Sequence, residues 1–250
     1  MTAQTPTSTA SGPGPGAAHA PGATPTASLP ADPEHLAAIT DLLGLMACAE
    51  LLAFERLAHD ATLAPNIAEK AEVAAMAVAE FNHYTLLCAR LRELNVDPEA
   101  AMAPFADDLS AFHRRIAAGN WLEGLVKAFV GDGLAADFYR EIAVHLDPGT
   151  RDLVLRVLAD TGHSEFAVDR IRAGIAADRR VAGPLALWGR RLVGEVMTQA
   201  QRIAAEREGL TTLIVGGVDR PGLDLAEIAA MLDRLTKGHT DRMAALGLDA

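Results

Sequence analysis

Cysteine, aromatic residues and basic charge are all scarce in this sequence, and each shortage closes off a class of protein. Only two cysteines occur, Cys48 and Cys88, with no CxxC spacing. Neither a disulfide framework nor a zinc knuckle can be built from them; small buried thiols in a reducing compartment are the simpler reading. The 22 lysines and arginines are outnumbered by 33 aspartates and glutamates, giving a formal net charge of −11. Such a chain has no broad basic footprint for nucleic acid or an anionic membrane, although a local basic patch is compatible with it. No charge-free run has the length and apolarity of a membrane span. No GK[ST] follows the glycines of "LIVGGVDRPG", so that stretch reads as a helix end at Gly216–Gly217 and a turn.

The largest absence is at the start. Residues 1–31 contain no Asp, Glu, Lys or Arg and hardly a large apolar side chain, yet hold six of the 13 prolines. They have neither the basic nor the apolar region of a signal peptide, and too little apolar surface to offset the entropy of ordering. A disordered Pro/Ala/Gly/Thr-rich tail is expected there, on a cytoplasmic protein with no membrane partner. The whole net charge then belongs to a folded part, 32–250.

What is present is helix. Between the remaining prolines (33, 65, 98, 104, 148, 184 and 221) the chain is rich in Ala, Leu, Glu and Arg and poor in β-branched alternation. Proline in a helix interior costs about 3 kcal/mol, so each should mark a boundary or a first turn. Long helices are predicted over 34–62, 67–94, 120–146 and 150–179, then two more over 184–209 and 222–246, with a short one near 105–117. Short joints at "TLAPN" and "LDPGT" pair the first helix with the second and the third with the fourth, antiparallel. About 25 residues separate helices two and three, enough to cross the length of a bundle. The predicted fold is all-α: a ferritin-like four-helix bundle with a long crossover between helices 2 and 3, plus extra C-terminal helices.

Acids recur on the apolar faces of this bundle. "AVAEFNHYTL" places Glu80 three residues before His83, and "LADTGHSEFA" places Asp160 three residues before His163. Residues at i and i+3 share a helix face, and both pairs lie among apolar side chains. Glu50 and Asp132 are single acids on apolar stripes, 30 residues before Glu80 and 28 before Asp160. A buried carboxylate is costly unless paired or bound to metal. One acid from each of two helices and an acid-x-x-His from each of the other two make the ligand set of a dinuclear carboxylate centre. Glu50, Glu80, His83, Asp132, Asp160 and His163 are therefore the candidate ligands of two iron ions, with manganese as the alternative, and O2 as co-substrate. Glu55, Asp137, Glu141 and Glu165 are neighbouring acids that could take a place in the set. Tyr84 and Tyr139 stand within two turns of ligands, where a hydroxyl could bond a carboxylate or simply pack in the core.

The segments "ACAELLAFERLAHDATLAP", "AEFNHYTLLCARLRELNVDPEAAMAPF", "WLEGLVKAFVGDGLAADFYREIAVHLDP" and "VLADTGHSEFAVDRI" resemble the ferritin-like superfamily. More narrowly, they resemble the actinobacterial MiaE-like tRNA hydroxylases, over about residues 36–215. That resemblance implies a di-iron enzyme that uses O2 and an external electron donor to hydroxylate the isopentenyl group of a modified adenosine in tRNA. It implies the same six ligands. The chain departs from the family in carrying Asp132 and Asp160 where glutamate is usual; aspartate, one methylene shorter, bridges less readily. The charge of −11 disfavours tRNA, leaving "FHRR" (112–115) and "WGRR" (188–191), with Trp188 as a stacking platform, as local candidates. A small-molecule substrate is the other possibility. Two rival readings are a ferritin-like metal-binding protein or ferroxidase with no organic substrate, and a metal-free helical interaction module.

Overall fold

The computed structural model describes residues 1–2, 32–159, 163–217 and 220–250. The tail expected at 1–31 lies, apart from Met1 and Thr2, outside the described residues, as does Asp160. In chain order the α-helices are α1 Pro33–Asp60, α2 Ile67–Glu93, α3 Pro98–Arg115, α4 Trp121–Val126, α5 Asp132–Ala143, α6 Pro148–Val157, α7 His163–Ala177, α8 Ala182–Glu206, α9 Glu208–Val215 and α10 Leu225–Leu246. A π-helical turn, Lys127–Gly131, joins α4 to α5 without a break. Among the described residues the only strands are Gly216–Gly217 and Arg220–Pro221, paired antiparallel, so the fold is helical as expected.

The helix starts follow from local chemistry. Three Asp-Pro pairs open α1, α3 and α6: the side chains of Asp32, Asp97 and Asp147 accept from the backbone N–H of Glu34, Ala100 and Thr150. The proline that follows each has no N–H to leave unsatisfied. Asn66 and Asn120 cap α2 and α4 in the same way. A reciprocal capping box, Asp224 with Glu227, opens α10, and Gly247 closes it in the left-handed conformation.

Several boundaries differ from the sequence prediction, each for a visible reason. Pro104 lies inside α3, which starts at Pro98; it sits on the exposed side, where the carbonyl that loses its partner can turn to water. The fourth long helix is two shorter ones. α6 ends at Val157, and Arg140 donates to the Leu158 carbonyl at 2.6 Å, satisfying one of the acceptors freed there. The "DTG" that follows combines residues of low helix propensity, which is the signal for a break. The helix predicted to end at 209 stops at Glu206, and α9 follows almost at once.

The core is organised around α1. Ala38, Ile39, Leu42, Leu43 and Met46 have no exposed surface, so this helix is buried around most of its circumference. α1 with its 3-10 extension, Pro33–Leu63, is in fact long and apolar enough to cross a membrane, contrary to the sequence reading; here half of its most apolar stretch is buried inside the fold. α2 runs antiparallel beside it, and α3, lying within the crossover, approaches it at Gly44. A Cβ at that position would lie 2.2 Å from the Ala101 carbonyl oxygen. One apolar cluster packs the front half of α1 against α2, α3, α6 and α9; a second packs its rear against α4, α7, α8 and α10. Burying each large aliphatic side chain contributes about 1.5–3 kcal/mol. Between the clusters lies a cavity.

Candidate metal centre

Glu50 on α1 and Glu80 and His83 on α2 converge. Their ligand atoms all lie within 4.8 Å of one another, a spacing at which one cation could touch all three. His83 Nδ1 is 3.3 Å from Glu80 Oε2 and 3.7 Å from Glu50 Oε2. The side chains are 14–23% exposed, largely removed from water. Burial and the bond to Glu80 push the Glu50 carboxyl well above the usual range. Burial acts on Glu80 too, but hydrogen bonds from Glu50 and His83, with Arg56 nearby, outweigh it and hold Glu80 at about 2. Its bonds to both glutamates lift His83 to about 9. The trio thus keeps protons where a cation would otherwise neutralise the carboxylates, and a metal entering the site displaces them.

The trio opens on a cavity of about 670 Å³, within the range of small-molecule sites. Its wall is mostly apolar: Leu45, Phe129, Leu134, Phe138, Met231 and others from the helices around it. Of the other sequence candidates, Asp132, His163 and Tyr139 also line this cavity. Burial keeps the Tyr139 hydroxyl firmly protonated. Tyr84 stands apart from the cavity lining, stacked on Phe81 with ring centroids 5.5 Å apart. Among the neighbouring acids, Asp137 is bound to Arg140 and Arg242, and Glu141 to Arg234. Those pairings explain why neither joins the trio.

Asp132 is not joined to the trio either. Arg56 Nη2 lies 2.5 Å from its Oδ2, and Arg56 Nη1 is 3.6 Å from Asp60 Oδ2. Asp132's side chain is 40% exposed where it lines the cavity, and burial still raises its carboxyl above the usual range. Lys127 is 2% exposed and lines the same cavity, and desolvation lowers its amine to about 8. Residues five apart on a regular α-helix diverge by about 140°. The π turn between Lys127 and Asp132 reduces that divergence, and both side chains line the cavity, the sort of local irregularity that accompanies functional sites. Sequence reasoning missed Arg56, Asp60 and Lys127. The available signals were a basic residue four before an acid on α1, and a lone lysine inside the apolar run "LVKAFV".

Helices around a buried Glu-Glu-His group that could hold a metal, with one long crossover, define a ferritin-like helical protein. The chain belongs to the actinomycete ferritin-like domain family, whose model matches residues 33–217. Among solved structures it is similar to protein 19 with aldehyde deformylating oxidase activity from Synechococcus. The TM-score is 0.66 at 19% identity, covering 88% of this chain and 94% of that one. At that identity the likeness speaks for the fold. No curated protein matches the sequence.

Proposed function

We propose that this protein binds a redox-active metal, iron first, through Glu50, Glu80 and His83, and with O2 oxidises an apolar small molecule held in the adjoining cavity. The observation that carries this reading is the convergence of three ligand-type side chains on the wall of a 670 Å³ apolar space. A ferroxidase without organic substrate needs no such cavity. A metal-free interaction module has no use for a buried pair of glutamates whose charge is neutralised only by protons.

Hydroxylation is the reaction class we favour. Its balance is RH + O2 + two electrons + two protons giving ROH + H2O, so an external electron donor is part of the reading. A bound iron would supply the redox couple that O2 chemistry needs. The chain's own residues hold and surround it: Glu50, Glu80 and His83 as ligands, and Phe129, Leu134 and Phe138 as a wall that orients an apolar substrate and excludes water. Tyr139, kept protonated, is available as a hydrogen-bond donor and not as a base.

A tRNA substrate has less support. Trp188 is 9% exposed and its Nε1 donates to the Glu123 carbonyl at 3.0 Å, so it is a core residue and no stacking platform. Arg190 and Arg191 donate to the backbone carbonyls of Asp249 and Arg115.

The test is O2 uptake by protein reconstituted anaerobically with Fe2+ and supplied with a chemical reductant. Medium-chain aliphatic aldehydes and N6-isopentenyladenosine serve as probe substrates, with products read by mass spectrometry. At least one probe should raise O2 uptake and yield an oxidised product, and His83→Ala should abolish both. Iron-loaded protein that turns over no probe faster than His83→Ala does would sink the oxidase reading.

A further inference from the structure

We propose that Arg56 and Lys127 occupy, as fixed cations, the place of the second metal, so that this chain holds one metal ion and not two. The inference rests on the reading above that Glu50, Glu80 and His83 bind a metal.

The geometry is direct. A dinuclear centre would need Asp132 to turn its carboxylate to a second ion, but that carboxylate is already held by Arg56 at 2.5 Å. The guanidinium is only 8% exposed, and among the described residues its ion-pair partners are Asp132 and Asp60. Its charge acts on Glu80 as well as on Asp132. Lys127 is the largest fully buried side chain in the described structure, delivered to the same cavity by the π turn.

The charges agree with the geometry. Two carboxylates and one neutral imidazole balance a single divalent ion at the trio. On the other side, Arg56 and Lys127 already balance Asp132 and Asp60. A second divalent ion beside them would add two positive charges to a region where Asp132 and Asp60, among the described residues, are already paired. Asp160, even if all of its charge were given to this region, would cover only one of them. In a largely apolar cavity such an excess is expensive, because each uncompensated charge there is poorly solvated. The aspartate at 132 fits the same account: a residue that pairs with a guanidinium has no need of the extra reach with which glutamate bridges two metals.

The experiment is Mn2+ binding to metal-stripped full-length protein, counted by calorimetry and elemental analysis, with the EPR spectrum of the loaded protein. The wild type should take one Mn2+ per chain and show the hyperfine pattern of an isolated ion. The double variant Arg56→Gln, Lys127→Met, which releases Asp132, should take a second. The single variant Arg56→Gln is measured beside it, so that a folding failure of the double still leaves a count. Two ions in the wild type with the half-spaced pattern of a coupled pair would overturn this inference while leaving the proposed function standing. A single ion in the wild type and in every folded variant would overturn the role given to the cations. No Mn2+ bound by any of them would overturn the proposed function, and this inference with it.

Discussion

The two halves of the bundle carry similar sequence patterns and are built differently. In the first, α1 and α2 are unbroken helices of 28 and 27 residues, and their acids and histidine meet. In the second, the corresponding length is divided. A six-residue helix, a five-residue π turn and a 12-residue helix precede the joint, and helices of 10 and 15 residues follow it. Its acid at 132 meets a guanidinium instead of a metal-type ligand. A continuous pair of helices fixes i, i+3 and facing positions together, so one side chain in place brings the others into place. A segmented pair loses that shared register, and each piece can orient its polar residues separately. The same polar pattern therefore gives a ligand group on one side and an internal ion pair on the other.

The sharpest way to break this comparison is to remove one histidine from each half. His83→Ala should weaken Mn2+ binding on the order of 100-fold or more, since it removes one of three ligands, whereas His163→Ala should leave the count and affinity within a few-fold. Equal losses in both variants, measured by calorimetry, would show that the halves act as one site. A second contrast uses two glycines. At Gly44 a methyl group meets backbone, the Ala101 carbonyl, and Gly44→Ala should cost about 2–3 kcal/mol in urea unfolding. At Gly133 it meets the Arg242 side chain, which can shift, and Gly133→Ala should cost under about 1 kcal/mol. A larger loss at Gly133 would make the segmented half the more rigidly packed.

A pH-dependent effect lies between the halves, at His113 on α3. Burial lowers it from 6.5 to about 3, helped by Arg56 from α1 and Lys127 from the π turn, and its Nδ1 finds no hydrogen-bond partner among the described residues. Its folded-state value is depressed, so the unfolded chain takes up the proton first. The associated stability is complete above about pH 6.5 and is lost as the pH falls toward 3. By pH 5 the loss is about 2 kcal/mol. His113→Leu should flatten that limb of the stability-against-pH curve; an unchanged slope would exonerate the histidine.

The legible parts of this protein were those decided by near neighbours. The starts of α1 and α6 beside Pro33 and Pro148, the apolar period of α1 and the i, i+3 spacing of Glu80 and His83 are local facts that the structure bears out, whereas the start of α3 at Pro98 was not foreseen. Glu50 was legible because a lone acid on an apolar stripe must find a partner across the bundle. Asp132 obeyed the same rule but found a different partner, Arg56, 76 positions away. No spacing rule chooses between a metal and a guanidinium for a buried carboxylate, because both satisfy its charge. The π turn was hidden for a related reason: one additional residue per turn leaves the composition of "LVKAFVGDG" unchanged while reorienting everything after it.

The burial of α1 has a consequence for how the chain is made. Leu210 and Leu213 of α9 complete the apolar cluster around Ala38 and Leu42 of α1. α9 begins at residue 208 and α1 ends at 60, so 147 residues lie between the two. At about 5–20 residues per second, a ribosome takes roughly 7–30 s to supply the missing cover. For that interval the longest of the described helices stands partly bare, and α2 and α3, which emerge next, act as its first shelter.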